Sequence, residues 1–196
     1  MTVVAELFDR REMPARDLAG QAAAVAAACH QMALRFRRGG TLMTLGTGSA
    51  STDAQHVAVE FVHPVIVGKR ALPAISLTTD VATLTGIAAT RGMSAIFSHQ
   101  LRYLGSPADI ALGISPDGSC DSVLSGLRTA HELGMLTIAL VGGDVDAIAG
   151  CPVDHVLVTR SPDPRVVKEL QMTAYHVLWE LVHVFFEQPG LLEVVA

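Results

Sequence analysis

Residues 41–60 read TLMTLGTGSASTDAQHVAVE, a segment that combines a strand, a glycine turn and a helix. Residues 41–45 are apolar or β-prone, and Gly46 and Gly48 allow the chain to turn tightly. The helix that follows opens with serine and threonine residues. Their hydroxyls, with the free backbone N–H groups of a helix N-terminus, can bind an anion. We therefore interpret this segment as a strand–turn–helix unit of an α/β protein with an anion site at its turn.

Two titratable side chains follow the turn on the same predicted helix. His56 and Glu60 are four residues apart and therefore share one helix face. An anion site followed one turn later by a His–Glu pair indicates a site that holds a charged ligand and performs proton or metal chemistry beside it. The alternative is a buried turn with two incidental polar residues, because glycine turns after strands are common in α/β folds.

Strands and helices alternate along the rest of the chain. Short apolar runs predict the strands, and longer amphipathic runs predict the helices. The alternation indicates a parallel, doubly wound sheet that binds its ligand at the carboxyl ends of the strands. The predicted strands are 41–45, 74–77, 110–114, 136–141 and 155–158, and the predicted helices are 15–38, 51–63, two pieces of 81–104 that break near Gly92, 123–133 and 164–187.

Composition limits the class of protein. A chain of 196 residues suits one α/β domain, and half of its residues are hydrophobic without a run long enough to span a membrane. The formal net charge of −5 and the lack of a long basic run argue against a nucleic-acid partner. Three cysteines without CxxC spacing, and an N-terminus without a signal pattern, lead us to expect reduced thiols in a cytoplasmic protein.

Five segments, in order over nearly the whole chain, are similar to one known family. They are GTGSASTDAQHVAVE, ALPAISLTTDVATLTGIA, GSPADIALGISPDGS, GLRTAHELGM and AYHVLWELV. In these segments the chain resembles the SIS (sugar isomerase) domain family and, within it, the phosphoheptose isomerase branch. The resemblance implies a three-layer αβα fold with a flavodoxin-like five-stranded parallel sheet. Residues 1–196 would form a single SIS domain, with the N-terminal helical segment 1–38 used in oligomerisation.

The same resemblance implies an activity and an assembly. The activity is aldose–ketose isomerisation by proton shuttling, with sedoheptulose 7-phosphate or a related sugar phosphate as the substrate. The assembly is a homotetramer whose sites lie between subunits.

The resemblance also implies roles for individual residues. Glu60 would be the general base and His176 the general acid, since moving a hydrogen between adjacent carbons needs such a pair. His56, Glu60 and His176 match the metal-binding residues of the family. This implies one Zn²⁺ in each site, able to stabilise an enediolate-like intermediate, and no organic cofactor. The residues implied to bind substrate are Thr47, Gly48, Ser49, Ser51, Asp53, Thr79, Asp80, Ser115, Asp117, Ser119, Ser122 and Lys168.

Several positions depart from the family pattern. Lys168 stands where the family has a glutamine ligand, and an ammonium group does not bind a metal. Either its charge lies near Glu60 and replaces the metal, or Gln171 takes over as the ligand. Residues 115–120 match a second phosphate-binding loop of the family. In this loop Pro116 removes an N–H donor, and Asp117 introduces a carboxylate that repels phosphate. These departures leave two other interpretations open: a non-catalytic ligand sensor or assembly scaffold, and an isomerase whose substrate is selected by Asp117.

One further motif occurs twice. HVAVEFVH at residues 56–63 and HVLWELVH at residues 176–183 both place His, Glu and His on one helix face. Two packed helices of this kind could form a two-metal centre like those of di-iron bundles, but the α/β pattern argues against such a bundle. We predict a single site, with His183 exposed near the end of its helix.

Overall fold

The computed structural model describes residues 2–143, 146 and 148–192, and a parallel sheet forms its centre. Within these residues the strands are β1 (Leu42–Gly46), β2 (Ala74–Ser76), β3 (Ile110–Ser115), β4 (Leu136–Gly142) and β5 (His155–Thr159). Their order is β2-β1-β3-β4-β5, and every pair of neighbours is parallel. The order confirms the predicted flavodoxin-like sheet. It also places the ends of β1 and β3 side by side at the edge where ligands bind in such sheets.

The helices cover both faces of the sheet. In the described part of the chain they are α1 (Val3–Ala19), α2 (Ala22–Arg37), α3 (Ser49–Val62), α4 (Val81–Arg91), α5 (Ile96–Leu104), α6 (Asp121–Glu132) and α7 (Pro164–Glu187), with short 3₁₀ helices at Met93–Ala95 and Pro189–Leu192. The predicted bounds of the closing helix are confirmed. The predicted break near Gly92 is also confirmed, because Gly92 adopts a φ of 86°, which favours glycine.

The N-terminal prediction is wrong in one respect. Instead of a single helix over residues 15–38 there are two, and the first begins at Val3 and continues through Pro14. A proline inside a helix removes one backbone hydrogen bond, so sequence alone favours a start after it. Tertiary contacts stabilise α1 in compensation. The Arg11 guanidinium donates to both carboxylate oxygens of Glu169 on α7, at 2.6 and 2.7 Å.

Two hydrophobic clusters fill the space between the layers. One joins α1, α2, α3 and α7 to one face of the sheet, and the other joins α4, α5 and α6 to the opposite face. All residues of β1, β3 and β4 are buried, as expected for a sheet covered on both sides. At the outer strand β5, the Gln21 side chain donates to the carbonyl of Val158 and accepts its N–H. The two bonds cover part of that edge.

Membrane-spanning character is absent from the described helices: none has both the length and the apolar composition needed to cross a bilayer.

Candidate active site

His56, Glu60 and His176 come together where α3 packs against α7. The metal-ligating atoms of the three residues all lie within 4.8 Å of one another. His56 Nε2 is 3.1 Å from Glu60 Oε1, and the centres of the two histidine rings are 5.1 Å apart. Glu60 is buried, whereas both histidines are partly exposed. The cluster is therefore a buried carboxylate beside two imidazoles that are open to a ligand.

Tyr175 completes this cluster and is absent from the residues that the sequence implied for the site. Its hydroxyl lies 2.8 Å from His56 Nδ1. Burial raises the pKa of Tyr175, and the carboxylates of Asp53 and Glu60 raise it further, so the hydroxyl stays protonated. When this hydroxyl donates to Nδ1, the imidazole proton is on Nε2 and is donated to Glu60. The position of Tyr175 beside His176 on α7 is the one sequence signal for this contact.

The donor set of the cluster suits a divalent metal. Two imidazoles and one carboxylate form a ligand set of catalytic zinc sites, which leave a further position open for water or substrate. The 3.1 Å separation of His56 Nε2 and Glu60 Oε1 fits two ligands of one ion at bonds of about 2.0–2.2 Å. Tyr175 would then accept from His56 Nδ1, as the outer partners of metal-bound histidines do. The residues present therefore fit a zinc ion.

Lys168 pairs with a different carboxylate from the one considered from sequence. Its ammonium lies 2.5 Å from Asp53 Oδ2 and donates to the carbonyl of Ser49 at 2.9 Å. The side chain of Asp53 is almost fully buried and that of Lys168 is 43% exposed. Lys168 thus links α7 to the first turn of α3 and places a positive charge beside the predicted anion site.

Gln171 lies deeper in the molecule. Its side chain is buried, and its amide nitrogen donates to the backbone carbonyls of Ser115 at 3.0 Å and Leu140 at 3.2 Å. These bonds fasten α7 to the carboxyl ends of β3 and β4. The amide nitrogen is fully engaged there, and a ligand role for the amide oxygen stays a prediction.

The turn after β1 forms one wall of an open cleft. Gly48 adopts a φ of 57°, and the hydroxyls of Ser51 and Thr52 donate back to the carbonyls of Gly48 and Ser49 at 2.7 Å. A cavity of about 280 Å³ adjoins the turn on the side of α4 and α5. It is lined by Gly46, Thr47, Gly48, Ser51, Thr78, Leu84, Thr85, Ala88, Met93, Ile96 and Phe97. None of the three residues of the His–Glu–His cluster lines this cavity.

Thr79 and Asp80 follow β2 and lie directly before α4. Asp80 accepts the backbone N–H of Thr83 at 3.0 Å and its hydroxyl at 2.6 Å, and these bonds lower the pKa of Asp80. Asp80 is therefore the N-cap of α4. The Thr79 hydroxyl donates to the carbonyl of Ser76. Contact of either residue with substrate stays a prediction.

In the loop between β3 and α6, polar groups bond to one another. Asp117 Oδ1 accepts the N–H of Ser119 at 3.0 Å and the hydroxyl of Ser115 at 3.3 Å. Cys120 Sγ lies 3.0 Å from the hydroxyl of Thr47 and 3.3 Å from that of Ser122. Burial alone would raise the pKa of the Cys120 thiol, but these hydroxyl contacts and nearby N–H groups outweigh it and lower the pKa. Cys120 therefore takes part in the polar contacts of this loop.

The second His–Glu–His motif does not extend the cluster. His63 and Glu180 are exposed. The prediction of an exposed His183 is wrong, because its ring is buried, with Nδ1 2.8 Å from the carbonyl of Trp179 and Nε2 2.9 Å from that of Arg70. His183 serves to hold the segment after α3 against α7.

Comparison with known proteins identifies the class to which this fold and site belong. The SIS domain profile matches residues 11–142, and the chain therefore belongs to the SIS domain family. A phosphoheptose isomerase of Roseiflexus sp. (strain RS-1) is 36% identical over 183 residues, which cover 92% of this chain and 91% of that protein. One of Desulfovibrio desulfuricans is 39% identical over 77% of this chain and 71% of its own length.

Solved structures agree with the sequence comparison. The phosphoheptose isomerase of Francisella tularensis superposes with a TM-score of 0.85 at 30% identity, over 93% of this chain and 99% of its own. The enzyme of Neisseria gonorrhoeae gives a TM-score of 0.83 at 28% identity, over 91% and 96%. The predicted fold and the predicted branch of the family are thereby confirmed.

Proposed function

We propose that the protein is an aldose–ketose isomerase that acts on a sugar phosphate of the sedoheptulose 7-phosphate class. The phosphoheptose isomerase relatives support this substrate class. The observation that supports the reaction most directly is the cluster of His56, Glu60 and His176, whose reactive atoms lie within 4.8 Å of one another. A buried carboxylate and a partly exposed imidazole are the pair that proton transfer between adjacent carbons requires.

Glu60 and His176 have separate parts in the proposed reaction. Glu60 takes a proton from the carbon next to the carbonyl group, the electrons of that C–H bond form a C=C bond, and His176 protonates the carbonyl oxygen. The enediol then collapses to the product when Glu60 gives a proton to the neighbouring carbon and His176 accepts one from the other oxygen. The proton on Glu60 exchanges with solvent while the enediol is present. His56 and Tyr175 hold the Glu60 carboxylate in one orientation through their hydrogen bonds.

We assign the metal role to the same cluster. His56, Glu60 and His176 would hold a zinc ion, with Gln171 as the further predicted ligand. When bound, such an ion supplies Lewis-acid polarisation of the substrate oxygens. The ammonium of Lys168 lies instead beside Asp53, where it favours an anionic substrate group near the start of α3.

The substrate would lie along the carboxyl edge of the sheet. Its phosphate is proposed to bind at the turn after β1, through Thr47, Gly48, Ser49 and Ser51, with Lys168 nearby. The remaining residues proposed to contact the sugar are Asp53, Thr79, Asp80, Ser115, Asp117, Ser119 and Ser122.

The proposal includes a homotetramer in the cytoplasm, with residues 1–196 as a single domain. Exposed apolar side chains of α1, among them Phe8 at 68% and Met13 at 73%, support a contact surface in the segment 1–38. The three cysteines are free thiols, which supports a reducing compartment.

The proposal is tested by adding sedoheptulose 7-phosphate to the purified protein, with and without zinc, and following the aldose product. We expect conversion by the wild type and a loss of about 100-fold or more in Glu60→Gln. Glu180→Gln is the matched control, because Glu180 occupies the same place in the second motif but is exposed. Conversion that is absent under all conditions would refute the proposal and favour the non-catalytic sensor or scaffold.

A further inference from the structure

The loop between β3 and α6 contains an anion of its own. Asp117 Oδ1 receives hydrogen bonds from the Ser119 N–H at 3.0 Å and the Ser115 hydroxyl at 3.3 Å. The hydrogen bond from the Ser119 N–H lowers the pKa of Asp117, so the group is ionised at neutral pH. A backbone N–H and a hydroxyl that precede a helix N-terminus are donors that proteins use for ligand anions. Here a side-chain carboxylate already occupies them.

This loop borders the candidate active site. The Thr47 hydroxyl, in the turn after β1, lies 3.0 Å from Cys120 Sγ. On the other side, Gln171 of α7 donates to the carbonyl of Ser115. The loop therefore lies between the proposed phosphate turn and the helix that provides His176, at the edge where parallel sheets bind ligands.

Other features of the loop also bear on how it would receive a phosphate. Pro116 has no backbone N–H. The hydroxyl of Ser122 contacts Cys120 at 3.3 Å. Asp117 is itself exposed, and the hydrogen bonds from the Ser115 hydroxyl and the Ser119 N–H both reach Oδ1. An incoming ligand thus meets an exposed carboxylate, which can accept a hydrogen bond from a hydroxyl and repels a phosphate.

We propose that Asp117 determines specificity at this site by occupying the donors of the β3–α6 loop in place of a substrate phosphate. Its carboxylate weakens the binding of phosphorylated ligands at this loop and favours a hydroxyl-bearing part of the sugar there. The substrate class in this statement rests on the proposed function, whereas the effect on phosphate binding does not.

Calorimetric titration of inorganic phosphate into the full-length protein tests the effect without any turnover. Asp117→Ser removes the charge and frees both donors, and we expect phosphate to bind about tenfold more tightly or better. Asp117→Asn removes the charge but keeps an acceptor oxygen, so its gain should be smaller. Asp121→Asn is the matched control, because Asp121 is an exposed acid at the first position of α6.

The order of affinities decides the outcome. The proposal predicts that Asp117→Ser binds phosphate more tightly than Asp117→Asn, and that both bind it more tightly than the wild type and Asp121→Asn. Thermal unfolding checks that each variant is folded. Equal affinity of the wild type and Asp117→Ser would overturn it. An equal gain in Asp121→Asn would also overturn it, because general charge would then be the cause. Phosphate binding in the predicted order without sugar conversion would refute the proposed function and leave this inference standing.

Discussion

Replacing Tyr175 by phenylalanine tests whether the Tyr175 hydroxyl positions His56 or whether Tyr175 only packs in the core. Tyr175 is 1% exposed, and the substitution keeps its ring while removing the hydroxyl that lies 2.8 Å from His56 Nδ1. One such hydrogen bond contributes about 1 kcal/mol to stability, which corresponds to a fall of about 2–4 °C in Tm for a chain of this size. The expected effect on activity is larger. Losing the outer partner of a metal-binding or catalytic histidine costs about 10–100-fold.

The assay compares kcat/KM and Tm for the wild type, Tyr175→Phe and Tyr103→Phe. Tyr103 is the chain's other tyrosine and is 77% exposed, so its hydroxyl serves as the matched control. We expect Tyr103→Phe to equal the wild type in both measurements. If Tyr175→Phe lowers Tm but keeps kcat/KM within about twofold, Tyr175 only packs and the assigned orientation of His56 is refuted.

Three other predictions follow from particular contacts. Lys168→Met leaves the almost buried Asp53 without its cation and should lower the free energy of unfolding by about 1–2 kcal/mol. A denaturant midpoint equal to that of the wild type would show that the ion pair does not stabilise the fold. Burial raises the pKa of Cys29 from 9.0 to about 12, so its contribution to stability is complete below pH 9 and is lost as the pH rises towards 12. Cys29→Ala should therefore flatten the alkaline loss of stability measured by urea unfolding. A thiol reagent should modify Cys120, whose pKa is lowered, before it modifies Cys29, and mass spectrometry of the labelled peptides would show the reverse order if the assignment is wrong.

The fold could be predicted from sequence because its signals are local. The strands are continuous apolar runs, and the helix starts carry caps such as Asp80. The pair of His56 and Glu60 follows from helical spacing alone. Only the family resemblance assigns His176 to the same site, because His176 lies 116 positions after Glu60 and no local pattern joins α3 to α7.

The hydrogen-bond and ion-pair partners of several side chains could not be predicted from sequence, because they depend on which groups lie close together in the folded chain. A position of Lys168 near Glu60 is one of two alternatives from the sequence, but the ammonium reaches Asp53, which is nearer the start of α3. The sequence predicts that the donors at the strand ends are free for a ligand, whereas the Asp117 carboxylate and several hydroxyls bond within their own loops. The sequence predicts a helix start after Pro14, whereas α1 begins at Val3 and contacts α7 through Arg11 and Glu169.

The central claim is that Glu60 moves a proton between two carbons of a sugar phosphate. The most direct measurement is NMR detection of deuterium incorporated into sedoheptulose 7-phosphate and its product during reaction in D₂O. The account predicts deuterium at the carbon next to the carbonyl with the wild type and with Glu180→Gln, and none with Glu60→Gln. Incorporation of deuterium by Glu60→Gln at the wild-type rate would contradict it.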